Sequence, residues 1–311
     1  MAPPSVIAVF GPTGVGKTAV AIALAGRLRA EGEDPVAVSA DALQVYAGLE
    51  LLTGAATPAE RARLEHRMLG ILPLSATCSA GEYAQRAHKE IDSLLAAGRR
   101  PIVVGGTGLY LRAALAELDL RPPPDAESRR RWNGELARLG ATRLHAVLAE
   151  RDAGAAERVA PTDAQRIVRA LELLDAGVAP PPAAGAATEL WTADTRHPTL
   201  LAGLVMDRDV LYARIDARVD AMVAAGAALE VAAAERAGIS GTARKALGFD
   251  ELLHGDVEAM KRRTRNYAKR QLTWMRKLPD VLLLDATGRS PGDLAGELHA
   301  ALREATSAGA P

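Results

Sequence analysis

Gly11, Gly16, Lys17 and Thr18 stand at the spacing G-x-x-x-x-G-K-[ST] within GPTGVGKT, residues 11–18. That spacing suits one kind of chemistry. Glycines allow the loop of Gly11, Pro12, Thr13, Gly14, Val15 and Gly16 to curl its N–H groups around phosphate oxygens, and a following helix adds its positive end. Lys17 supplies a point charge, and the Thr18 hydroxyl can ligate Mg²⁺. The motif names a diphosphate or triphosphate group and no reaction. Asp41, in SADALQVY, and Gly105, Gly106 and Thr107, in VVGGTGLY, each follow a short apolar run. They fall at strand carboxyl ends, where ligands bind in open α/β sheets.

These residues need elements to hold them. Apolar runs at 6–10, 36–39 and 101–104 read as strands, and 18–28 and 84–97 have helical period, the latter closed by Gly98. Strands alternating with helices predict a mainly parallel sheet with helices on both faces. After RPPPD at 121–125 every segment to about 176 reads helical, and PPPAAGAA at 180–187 is a low-complexity linker. A strand returns at 200–205, helices follow over 210–237 and 257–277, and VLLL at 281–284 precedes a last helix. The expected organisation is an α/β core, 1–120 and 191–311, interrupted by an all-helical insertion at 121–190.

The 311 residues carry no net charge, so a polyanion would have to meet a local basic patch. Cys78 is the only cysteine, which excludes an intrachain disulfide and suits a reducing compartment. The start, MAPPSVIAVF, lacks a signal-peptide pattern, and no apolar run approaches the roughly 20 residues of a membrane helix. A soluble cytoplasmic protein without membrane contact is expected. His66 and His88 have no metal-site company in the sequence.

Seven segments in register resemble the tRNA dimethylallyltransferases, a P-loop NTPase-like family of isopentenyl transferases. They are GPTGVGKT, SADALQVYAGL, VVGGTGLYLRA, PTDAQRIVRALEL, VLYARIDARVDAMVAAGAALE, KALGFDEL and TRNYAKRQLTWMRK, spanning residues 11–277. The resemblance implies transfer of a dimethylallyl group from dimethylallyl diphosphate to N6 of adenosine 37 in the tRNA anticodon loop, with Mg²⁺. The diphosphate would lie on the 11–18 loop. Asp41 would be the general base or hydrogen-bond acceptor for a weakly nucleophilic amine. Lys17, Thr18, the loop amides and Arg218 would stabilise the departing pyrophosphate. Arg214, one helical turn before Arg218, reads as a surface ion pair with a nearby Asp.

A stacked base must be flipped to reach such a crevice. The resemblance places Thr107 against the flipped nucleotide. It assigns RNA contacts to Asp41, Ala42, Leu43, Gln44, Arg129, Gln165, Arg166, Ile167, Val168, Arg169, Lys245, Gly248, Phe249, Arg265, Lys269 and Arg270. KRRTRNYAKRQLTWMRK, residues 261–277, has eight basic residues and no acidic one. Its basic face suits a phosphate backbone, while Tyr267 and Trp274, seven apart, read as an apolar core stripe. A monomer is expected.

Three positions depart from the family pattern: Ala42 replaces a serine, LLTGAATP at 51–58 replaces a Gly-Thr-Ala-Lys-Pro turn, and Asp250 replaces a basic residue. Competing readings are a P-loop kinase, prenyl transfer to free adenine nucleotides, and an RNA-binding protein with a vestigial loop. The helical insertion and the intact Lys17, Thr18 and Asp41 speak for tRNA prenyl transfer.

Overall fold

The computed structural model describes residues 4–121, 125–179, 190 and 192–308. The linker expected at 180–187 and the prolines at 122–124 lie outside the described residues. Two compact units emerge, Met1–Leu118 with Ala193–Pro311, and Asp119–Thr192.

The first unit begins with β1 (Val6–Phe10), α1 (Lys17–Ala30) and β2 (Pro35–Ala40). Both strands are buried along their whole length, as expected of Val- and Ile-rich runs covered on both faces. Next come α2 (Glu50–Thr53), α3 (Pro58–Arg63), the two-residue β3 (His66–Arg67), α4 (Ala80–Ala96), β4 (Arg100–Gly105) and α5 (Gly108–Leu115). Helix α4 starts four residues before the apolar period becomes visible, because Ser79 and Glu82 form a reciprocal capping box.

The second unit holds α6 (Ala126–Leu139), α7 (Ala141–Arg151), α8 (Ala153–Glu157) and α9 (Ala164–Asp175). Its own core gathers Trp132, Leu144, Leu148, Ile167, Val168 and Leu171.

The first unit resumes with β5 (Thr199–Val205), α10 (Arg208–Ala224), α11 (Ala227–Ala237), α12 (Phe249–Leu253), α13 (Val257–Met275), β6 (Leu282–Asp285) and α14 (Pro291–Ala308). The helical run expected over 210–237 is two helices, because Gly226 turns left-handed at φ 98° between them. The six strands lie in the order β3-β2-β4-β1-β5-β6, and every pairing is parallel. In that order Phe10, Ala40 and Gly105 share one register row across the three central strands. The residues that follow them therefore emerge together at one edge. No helix among the described residues is long and apolar enough to cross a membrane.

Candidate active site

The loop after β1 turns through Gly14 and Gly16, at φ 83° and 103°, a backbone that residues with a Cβ rarely adopt. Pro12 and Val15 are buried, with Val15 anchored in the main core, while Thr13, Lys17 and Thr18 stay partly exposed. Lys17 crosses the loop: its Nζ donates to the carbonyls of Gly11 at 2.9 Å and Pro12 at 3.0 Å. Burial, then the nearby Arg218 guanidinium, push its pKa down to about 7, with Asp41 pulling the other way.

Asp41 follows β2 and is partly exposed. One carboxylate oxygen accepts the Leu43 N–H at 2.9 Å, an Asx turn that fixes the head group. Its charge is felt by Lys17 and Arg218 on one side and by Tyr83, Tyr110 and Tyr267 on the other. Burial raises all three phenols, so this wall of the site stays protonated. Thr107 caps the start of α5, and its Oγ1 shares a 2.7 Å hydrogen bond with the Tyr267 hydroxyl.

Arg218 comes from α10. Its Nη1 donates to Thr13 Oγ1 at 3.4 Å, and its Nη2 donates to the Gly54 carbonyl at 3.3 Å. Burial lowers its pKa, opposed by Asp41 and Glu60. Gly54 is left-handed at φ 59°, and a Cβ there would lie 1.7 Å from Arg218 Nη2. The segment that holds it is itself pinned twice. Gln44, fixed by Ser39 Oγ at 2.9 Å, donates to the Thr53 carbonyl at 3.3 Å. Glu230 accepts the Leu51 and Leu52 N–H groups at 2.9 and 2.8 Å.

Several expected residues sit elsewhere than the sequence suggests. Ile167, Val168 and Phe249 have core side chains, exposed by 0, 4 and 0%, and so offer no side-chain surface to a ligand in this structure. Gly248 is likewise buried, the left-handed cap of α12. Arg214 is exposed and makes no ion pair among the described residues; its guanidinium lies over Gly16 instead. Tyr267 is not a core aromatic, because its hydroxyl reaches Thr107. Trp274 packs on Gly108.

Of the other RNA candidates, Gln165, Arg166, Lys245, Lys269 and Arg270 are exposed. Ala42, Leu43 and Gln44 are half-buried around Asp41. Arg129 and Arg169 both grip the buried Glu172, and Arg265 pairs with Asp216 at 2.6 Å. Sequence reasoning passed over Gln271, Gly54 and Glu230. All three lie inside segments singled out above, Gly54 in 51–58, Glu230 at the end of 210–230 and Gln271 in 261–277, but nothing in those segments marks them individually.

Among the described residues no His, Cys, Asp and Glu side chains cluster to hold a metal ion. Thr18 offers one hydroxyl beside a cavity of about 20 Å³ lined by Ser39, Gln44 and His66, room for about one water. One hydroxyl ligand with room for a water would fit Mg²⁺, which keeps several waters and leans on substrate phosphates.

The comparisons agree on a family. The IPP transferase model matches residues 44–278. A tRNA dimethylallyltransferase of Thermobifida fusca (strain YX) is 41% identical, with 89% of this chain and 88% of that protein aligned. One from Kineococcus radiotolerans is 40% identical over 97% and 98%. Among solved structures, the full-length tRNA isopentenylpyrophosphate transferase of Bacillus halodurans aligns at TM-score 0.68 and 30% identity, over 97% of this chain and 98% of that one. A eukaryotic dimethylallyltransferase acting on tRNA aligns at TM-score 0.70 and 26% identity, over 91% and 74%. The six-stranded parallel sheet, its phosphate-type loop and these relatives converge: the chain belongs to the IPP transferase family, the tRNA dimethylallyltransferases.

Proposed function

We propose that this prenyltransferase carries out its reaction where β1, β2 and β4 end, with dimethylallyl diphosphate as donor and N6 of adenosine 37 in tRNA as acceptor. One observation carries the reading: a carboxylate, Asp41, stands within electrostatic reach of Lys17 of the phosphate-type loop and of Arg218, which reaches that loop from α10 through Thr13. Amine alkylation needs a proton acceptor beside its diphosphate grip, and Asp41 meets that need; membership of the IPP transferase family separates this reading from a kinase, which can also use such a base.

The chemistry balances as a displacement. The N6 lone pair forms a bond to the allylic C1 while the C1–O bond to diphosphate breaks. Asp41 accepts the N6 proton, and pyrophosphate leaves into Lys17, Arg218 and the loop amides. Thr107, on the acceptor side, orients the flipped adenine. Mg²⁺ held by Thr18 and by substrate oxygens would add Lewis-acid stabilisation of the leaving group.

For the RNA, the exposed Gln165, Arg166, Lys245, Lys269 and Arg270 are the first contacts we assign. Arg129, Arg169 and Arg265 follow as arginines oriented by their carboxylate partners. The helical unit and the core each carry part of this set, which suits the anticodon stem-loop. A cytoplasmic monomer fits this role.

The test is incubation with dimethylallyl diphosphate, Mg²⁺ and unmodified tRNA, followed by digestion and a search for N6-dimethyladenosine's prenyl counterpart, N6-dimethylallyladenosine. Asp41→Asn should keep tRNA binding and cut turnover by about 10²-fold or more. ATP consumption without prenylated tRNA would replace this reading with a kinase.

A further inference from the structure

Helix α13 belongs to the basic run, yet two of its side chains reach the loops that follow β1 and β4. Gln271 is 4% exposed, and its Oε1 accepts the Thr13 N–H of the phosphate loop at 2.8 Å. One turn earlier, the Tyr267 hydroxyl meets Thr107 Oγ1 at 2.7 Å. Residues four apart share a helix face, so this pair presents two polar contacts along one rigid edge. One contact lands on the donor loop, and the other lands on the acceptor-side hydroxyl.

We propose that Tyr267 and Gln271 are positioning residues of the transfer reaction, a pair that sets the Thr13 peptide and the Thr107 hydroxyl at a fixed separation. The inference rests on the assignment of donor and acceptor sides made above. Gln271 occupies the Thr13 amide, which fixes the orientation of that peptide. The Thr13 hydroxyl, in turn, accepts from Arg218 at 3.4 Å. A path of direct contacts therefore runs from α13 through Thr13 to the arginine assigned to the leaving group. Tyr267 does the same for Thr107 across 160 residues of sequence. Alkylation requires C1 and N6 in line at near-contact distance, so the spacing of the two binding sides is itself a catalytic variable.

The fit is tight on the far side of Gln271. A Cβ on Gly106 would lie 2.2 Å from Gln271 Nε2 and 3.0 Å from the Gly11 carbonyl. Gly106→Ala therefore pushes the amide off Thr13 without changing Gln271 itself. Tyr267→Phe is the milder partner. It keeps the ring, and with it the stacking of Arg270 5.5 Å from the ring centroid, and removes only the hydroxyl.

The experiment uses the full chain, dimethylallyl diphosphate and an unmodified anticodon stem-loop, with thermal unfolding of each variant as control. Gln271→Met and Gly106→Ala should each raise the donor KM about tenfold, the size of one hydrogen bond, and leave stem-loop affinity within about twofold. Tyr267→Phe should lower kcat about tenfold with donor KM held within about twofold. An unchanged donor KM in both Gln271→Met and Gly106→Ala, or an unchanged kcat in Tyr267→Phe, overturns the proposal. So does a loss that falls equally on donor and stem-loop binding together with a lowered unfolding midpoint, which marks a purely structural role. The wild-type protein separates the two readings. Product from wild type with no split among variants sinks this proposal alone, and no product from wild type sinks the assignment beneath it.

Discussion

Burial lowers the pKa of both Lys17 and Arg218, and the Arg218 guanidinium lowers that of Lys17 further. For Lys17, at about 7, the consequence is measurable. A diphosphate adds negative charge and raises that pKa, so above pH 7 binding must take up a proton. Donor affinity should be flat below about pH 7 and fall by up to about tenfold per pH unit above it. Lys17→Arg, always protonated, should remove that slope, and a slope that persists in it would place the titration elsewhere. The folding sign is the reverse of a paired lysine: the unfolded chain keeps a proton that the folded chain sheds between pH 7 and 10.5, so stability rises with pH across that window. Gly54 gives the second test. Gly54→Ala puts a methyl group onto Arg218 Nη2, so single-turnover transfer should fall about tenfold or more while stem-loop affinity holds. Full activity in that variant would show that Arg218 tolerates another position. The asymmetry of legibility is physical. Lys17, Thr18 and Asp41 announce themselves because their chemistry is local to a motif. Gln271 meets Thr13 across 258 residues, a pairing that no spacing rule reveals.

At the scale of elements, the fully buried strands were legible because Val6–Phe10 is a continuous apolar run and Pro35–Ala40 is one broken only by Ser39. The two-residue β3 was not, since His66–Arg67 has neither length nor apolar character. The basic helix shows a subtler limit. Its charge reads as one RNA face, but three of its cations hold the core together. Lys261 pairs with Asp220 at 2.7 Å, Arg265 with Asp216, and Arg263 with Glu251. These fasten α13 to α10 and α12. Lys269 and Arg270 are exposed, without an ion pair among the described residues. Their roles should separate in a salt titration. Lys269→Ala and Arg270→Ala should each lower the slope of log affinity against log salt by roughly 0.7 to 0.9. Lys261→Ala should leave the slope unchanged. Wild-type slopes in both Lys269→Ala and Arg270→Ala would mean that the helix contacts no phosphate through these exposed side chains.

The whole molecule poses a question of charge. The chain as a whole is neutral, and the unit Asp119–Thr192, where much of the RNA contact is assigned, has ten arginines against eleven acidic residues. Bulk field cannot recruit RNA to it. What distinguishes that unit is where its charges are spent. Glu172 and Asp175, one turn apart on α9, collect Arg129, Arg169, Arg131 and Arg151, and the guanidinium groups of Arg131 and Arg151 lie 4.6 and 5.5 Å from the Trp132 ring centroid. Two carboxylates thus order four arginines over an apolar core of the unit's own. A segment with its own core and its own charge network meets the conditions for folding alone. Expressed as residues 119–192, it should show helical circular dichroism and cooperative unfolding. Glu172→Gln, which removes the charge that Arg129 and Arg169 share, should lower the unfolding midpoint, by less than a fully buried pair would because both arginines are partly exposed. The isolated unit should bind an anticodon stem-loop only weakly, and added salt should weaken it further, since ordered local contacts and not net charge are its means of recognition. A disordered fragment would show instead that the helical unit borrows its stability from the rest of the chain.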